Sequence, residues 1–195
     1  MSDPLGAPDN AGTPLTHEER GGLLLSYITL RGELNEAEQA NILEAETWAF
    51  ARKRDVLDER VLNTLHQRMF GNVWRWAGQL RATQKNIGVD PGRIAPDLRQ
   101  LMGDCRYQIE HDSYPPDDIA ARFHHRLVAI HPYANGNGRH GRLAADLLLV
   151  SMGRPRFTWG SANLLDAGET RRRYVAALRA ADEYDIAPLR AFVRS

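Results

Sequence analysis

The 195-residue chain has one cysteine, Cys105, and therefore no internal disulfide to close, so a reducing, cytoplasmic compartment is expected. It has no surplus of either charge: 25 Lys and Arg stand against 25 Asp and Glu, and the pI is near 7.1. Gripping duplex nucleic acid by its phosphates needs a basic surplus or at least a basic face, so nucleic acid is not an expected partner. No apolar run approaches the roughly 20 residues that span a bilayer, and no membrane association is expected. The opening MSDPLGAPDNAGTPLTHEER has neither a basic region nor an apolar stretch and does not read as a secretory signal. What is present, 43% hydrophobic and 26% charged residues, is the composition of one globular domain large enough for its own core.

Residues 1–22, rich in Pro, Gly, Asp and Asn, read as a flexible arm, with one helical turn where Thr16 and Glu19 have capping-box spacing. Residues 23–195 read as a single domain that opens with a helical region over 26–54. A second helix is expected over 57–70, with Val61, Leu65 and Met69 on one face and Gly71 as its stop. The glycines and Asp90-Pro91-Gly92 of 78–96 suggest a small β-hairpin or a loop. Helix returns over 97–111. It returns again from Asp117, read as an N-cap, with Ile119, Phe123, Leu127 and Ile130 in one stripe that Pro132 ends. Two more helices are expected, over about 138–152 and 168–194. The fold class is all-α with one small hairpin.

The chemistry is concentrated in 131–142, His-Pro-Tyr-Ala-Asn-Gly-Asn-Gly-Arg-His-Gly-Arg. His131 falls where one helix has just ended. Asn135-Gly136-Asn137-Gly138 opens the next, where glycines let backbone N–H groups approach a ligand and the helix N-terminus favours an anion. Arg139 and Arg142, three residues apart, can lean over the first turn. An imidazole, an amide nest and two guanidiniums describe a polyphosphate site beside a general base.

This string resembles the signature of the Fic (Fic/Doc) family, His-Pro-Phe-x-Asp/Glu-Gly-Asn-Gly-Arg-x-x-Arg. LHQRMFGNVWRWAGQLR (65–81) is similar to the segment before that family's flap hairpin, and RRRYVAALRAADEYDIAPLRAF (171–192) to its closing helix. More narrowly, the chain resembles the short Fic proteins of bacterial mobile elements, the mobile mystery protein B group. The resemblance implies a helical-bundle enzyme, a protein adenylyltransferase that moves AMP from ATP, with Mg²⁺ or Mn²⁺, onto a Ser, Thr or Tyr hydroxyl of a target protein. Carried onto this chain, it makes His131 the general base and Gly136, Asn137 and Gly138 the anion nest. Arg139 and Arg142 become the ligands of the β- and γ-phosphates. Lys85, Asn86, Ile87 and Gly88 would form the flap that pairs with the target.

The family's acidic metal ligand is Asn135 here, an uncharged amide that leaves it a weak Mg²⁺ candidate. Upstream, Thr29 and Glu33 have the spacing of the family's inhibitory motif, with Leu34 where Gly or Asn is usual, which makes Glu33 a candidate brake on Arg142. The alternatives are phosphoryl transfer by a kinase of the Doc type, or a catalytically weak nucleotide-binding module in a toxin–antitoxin or mobile-element pair, with a partner protein. His124, His125 and His140 lack a metal-ligand spacing, and Trp48, Trp74, Trp76 and Trp159 read as packing residues.

Overall fold

The structure is a computed structural model that describes residues 15–161 and 167–195; residues 1–14 of the expected arm lie outside it. Eight helices follow one another among the described residues: α1 His17–Arg20, α2 Arg31–Phe50, α3 Glu59–Phe70, α4 Pro91–Glu110, α5 Pro116–Ile130, α6 Asn137–Ser151, α7 Ala167–Asp182 and α8 Ala187–Val193. None is long and apolar enough to cross a membrane. The α5–α6 pair is the spine; α4 covers α5, α3 and α2 approach α6, and α8 closes against α5. The α5 stripe is buried as expected, at Ile119, Phe123, Leu127 and Ile130.

Local chemistry sets the ends. Thr16 and Glu19 form the reciprocal capping box of α1. This turn packs on the body: Arg75 N–H donates to the Gly22 carbonyl at 2.8 Å, and Trp76 Nε1 to that of Glu19 at 2.9 Å. Asp58 caps α3, and its core face carries Leu62 rather than Val61, beside Leu65 and Met69. α4 starts six residues before the expected 97, because Asp90 caps it and Pro91 fits its first turn; Pro96 removes only one internal hydrogen bond. Asp117 is not the cap of α5 but lies inside its first turn, where both carboxylate oxygens accept from Arg194 at 2.6 and 2.7 Å.

Two expectations need correcting. The last helix is two, because Tyr184 takes a left-handed φ of 67° and Pro188 opens α8. The hairpin expected within 78–96 is an irregular loop over 79–90, and the only β-bridge among the described residues joins Leu23 to Trp74. In place of a partner strand, the loop has Arg81. Its buried guanidinium donates to the carbonyls of Thr83, Val89 and His131 and so holds both ends of the loop against residues 130–132.

Candidate active site

His131 is the residue on which α5 turns. With Pro132 next it cannot continue the helix, and it adopts φ 54° and ψ 60°, a left-handed conformation that disfavours side chains. Two bonds impose it: its N–H donates to the Leu127 carbonyl at 3.2 Å, and its own carbonyl accepts from Arg81 Nε at 2.7 Å. The residue is 5% exposed and its Nδ1 is sealed from solvent. Burial, with the positive charges of Arg81 and Lys85, pushes the imidazole pKa down to about 4. At neutral pH the ring is uncharged, the form a general base requires.

The turn into α6 is built by its own side chains. Buried Asn137 accepts from Tyr133 N–H with Oδ1 and donates Nδ2 to the Tyr133 carbonyl, both at 2.9 Å. Its side chain is thus structural, and its backbone N–H is what it can offer a ligand. Gly136 caps the helix at φ 78°, where a Cβ would stand 2.6 Å from the Phe70 ring, so only glycine fits. Tyr133 stacks on His66 at 3.8 Å and donates its hydroxyl to Asn63 at 2.8 Å. His66 accepts from Gly78 N–H at Nδ1 and donates Nε2–H to the Asn135 carbonyl at 3.0 Å. The first N–H groups of α6, at Asn137, Gly138 and Arg139, have no acceptor within the helix and point out of its N-terminus.

The two arginines differ. Arg139 lies over the Phe70 ring and donates to Glu38 at 2.7 Å; the second oxygen of Glu38 accepts from Trp74 Nε1 at 2.6 Å. Arg142 has no ion pair or hydrogen bond to any side chain among the described residues, and its guanidinium carbon lies 5.5 Å from the centre of the Tyr174 ring. Burial lowers its pKa, yet a guanidinium remains charged. Both arginines line a cleft of about 220 Å³ with Ile42 and Glu46 of α2, Asp146 of α6 and Trp159.

Asn135 offers little to a metal. Its Oδ1 accepts from Gly136 N–H at 2.6 Å, and no three His, Cys, Asp or Glu side chains converge among the described residues. Asn86, Ile87 and Gly88 are exposed at the tip of loop 79–90, next to His131: a Cβ on Gly88 would stand 2.6 Å from the His131 Cβ. Lys85 is different. Its side chain is 3% exposed and its ammonium is paired with Glu19, which also accepts from Thr83 at 2.7 Å.

Glu33 is not at the arginines. It is exposed at the start of α2, where its carboxylate accepts from Thr29 and Leu30 N–H at 3.0 and 3.1 Å, bonds that hold it below the usual carboxylate range. The glutamate that meets the motif is Glu38, buried on the same face of α2 as Leu34, Asn41 and Ala45. Sequence reasoning missed it, although a glutamate within an otherwise buried helical stripe is itself a signal.

A neutral imidazole thus stands beside a helix N-terminus and a guanidinium that makes no ion pair among the described residues. Residues 56–149 match the Fic/DOC family, and the chain belongs to that family. It is 33% identical over 136 residues to the protein adenylyltransferase Fic of Drosophila grimshawi, covering 66% of this chain and 26% of that protein. It is 32% identical over 135 residues to the protein adenylyltransferase fic-1 of Caenorhabditis elegans, covering 67% and 24%. The chain thus spans about a quarter of the length of these curated relatives. A solved structure of C. elegans Fic-1, residues 134–508, superposes with a TM-score of 0.68 at 25% identity, over 89% of this chain and 51% of that one. The BepC protein of Bartonella tribocorum, solved with bound AMPPNP, has a TM-score of 0.69 at 17% identity, over 92% and 97%, a likeness of fold.

Proposed function

We propose that this chain is a protein adenylyltransferase, transferring AMP from ATP to a Ser, Thr or Tyr hydroxyl of a protein segment presented beside loop 79–90. The observation that carries this reading is Arg142, a half-buried cation to which no carboxylate is bonded among the described residues, beside the N–H groups that open α6. Such a place calls for a phosphate. In this reading the Asn137, Gly138 and Arg139 N–H groups bind the α- and β-phosphates, Arg139 holds the β-phosphate and Arg142 the γ-phosphate. The target oxygen bonds to the α-phosphorus as the bond to the α–β bridging oxygen breaks. Diphosphate leaves, and the hydroxyl proton passes to His131 Nε2.

Mg²⁺ or Mn²⁺, the ion the resemblance implies, would offset phosphate charge. The residues present fit a protein-held ion poorly, since Asn135 supplies one neutral oxygen already engaged by Gly136, and phosphates and water would carry the coordination. Restraint by an N-terminal glutamate is assigned to Glu38, which occupies on Arg139 the place a β-phosphate would take. The partner of a mobile-element pair, if it is the target, would meet the same loop, and the cytoplasm is the compartment proposed.

The test is transfer of label to protein from ATP carrying it at the α- or the γ-phosphate, with the full chain and its His131→Ala variant. Adenylyl transfer predicts α-label that falls roughly 10²–10⁴-fold without the general base, while ATP still binds. Label from the γ-position alone would make the protein a kinase. No label from either, with ATP bound, would leave a nucleotide-binding module.

A further inference from the structure

Resting on the reading of Arg142 as the γ-phosphate ligand, we propose that Tyr174 is a positioning residue for that arginine: its ring supports the guanidinium, and His124 fixes the ring. A long arginine side chain without a carboxylate partner must be ordered before it can recognise a phosphate oriented by a neighbouring nest, and that ordering has an entropic penalty. Arg139 has Glu38 to orient it. Arg142 has the Tyr174 ring, 5.5 Å from its guanidinium carbon and within the roughly 6 Å over which a cation is attracted to an aromatic face.

The ring is itself anchored from three sides. The hydroxyl of Tyr174, on α7, is 2.9 Å from His124 Nε2, on α5. The Phe192 ring of α8 lies 5.6 Å away. On the α6 side, a Cβ added to Gly138 would meet the tyrosine hydroxyl at 3.9 Å, so the ring abuts the turn that offers its N–H groups. His124 is fully buried, with Trp159 at 4.7 Å, and burial pushes its pKa down to about 3. It is therefore a neutral anchor that adds no repelling charge beside Arg142. Burial also raises the Tyr174 hydroxyl above its ordinary range, so it too stays neutral. The motif assigns neither residue a role.

The test separates ATP from ADP, because only ATP presents a γ-phosphate. Binding constants for both nucleotides are measured by calorimetry on the full chain, on Tyr174→Leu and Tyr174→Phe, and on Arg142→Gln as reference. The ratio of the two is insensitive to Glu38, which competes with both nucleotides at Arg139. Tyr174→Leu is expected to weaken ATP about 10-fold and ADP less than about 2-fold, approaching the Arg142→Gln ratio. Tyr174→Phe keeps the ring but not the bond to His124 and is expected to fall between. A generally loosened fold would weaken both nucleotides alike. The proposal is overturned if Tyr174→Leu, or Tyr174→Phe where the leucine variant does not fold, keeps the wild-type ratio while Arg142→Gln loses it. A wild-type protein that binds ATP and ADP equally removes the γ-phosphate reading itself, and this inference with it.

Discussion

Replacing Glu38 by glutamine removes one charge and almost nothing else. The amide oxygen of the new side chain can still accept from Trp74 Nε1, while Arg139 loses the anion now 2.7 Å away. A hydrogen bond to a charged partner contributes about 1.5–3 kcal/mol net. Arg139 is 33% exposed and partly screened by solvent, which places the effect at the lower end of that range. An incoming β-phosphate must displace that bond, so Glu38→Gln is expected to tighten ATP and ADP by about 10-fold each. AMP, with no β-phosphate, should change little. Titration calorimetry with the three nucleotides reads this directly, and a thermal melt shows whether the Trp74 contact survives. Glu33→Gln is the control: its carboxylate caps its own helix, so nucleotide affinity should hold within about 2-fold, with only a slight loss of α2 stability. Unchanged affinity in Glu38→Gln, or an equal gain in Glu33→Gln, would refute the reasoning.

Two further outcomes are expected. His124, His131 and His140 are buried with pKa values pushed down to about 3, 4 and 4, and His66 is held well below its ordinary value, mainly by burial. The unfolded chain takes up these protons near pH 6.5 and the folded chain resists until about 4, so stability is present above pH 6.5 and is lost as pH falls from 6.5 to 4. At pH 5 His124, His131 and His140 each subtract about 2 kcal/mol and His66 acts in the same direction, so Tm should drop steeply between pH 7 and 5; a flat Tm over that window would contradict it. Asn135→Asp keeps the oxygen that accepts from Gly136 and adds a carboxylate, so half-maximal transfer should need about 10-fold less Mg²⁺; an unchanged metal titration would show that this position does not meet the ion.

Much of this site was legible because its parts are local. Pro132 fixes where α5 stops and so where His131 stands, and Gly136 and Gly138 announce the turn and the open N–H groups of α6. The parts that were not legible are made by residues distant in sequence. Arg81 replaces an expected hairpin by satisfying loop carbonyls from one buried guanidinium, which no periodicity signals. Glu33 fits a spacing, but its carboxylate is consumed by the helix start it stands on, and Glu38 meets Arg139 only because α2 lies across α6. The split between α7 and α8 did have a local sign, Pro188 a few residues after Tyr184, which the amphipathic pattern on either side concealed.

Glu19 and Glu38 both precede the matched region 56–149, and each pairs with a cation of the site, Lys85 on the loop side and Arg139 on the phosphate side. The segment ahead of that region is therefore the site's tethered counterion. In the function proposed above, nucleotide binding at Arg139 is then an ion exchange in which the displaced anion cannot diffuse away. On that reading, nucleotide affinity depends on how readily Glu38 of α2 yields Arg139 as well as on the contacts the nucleotide makes. Shortening the chain from its N-terminus would change what the site attracts before it changed how the site reacts.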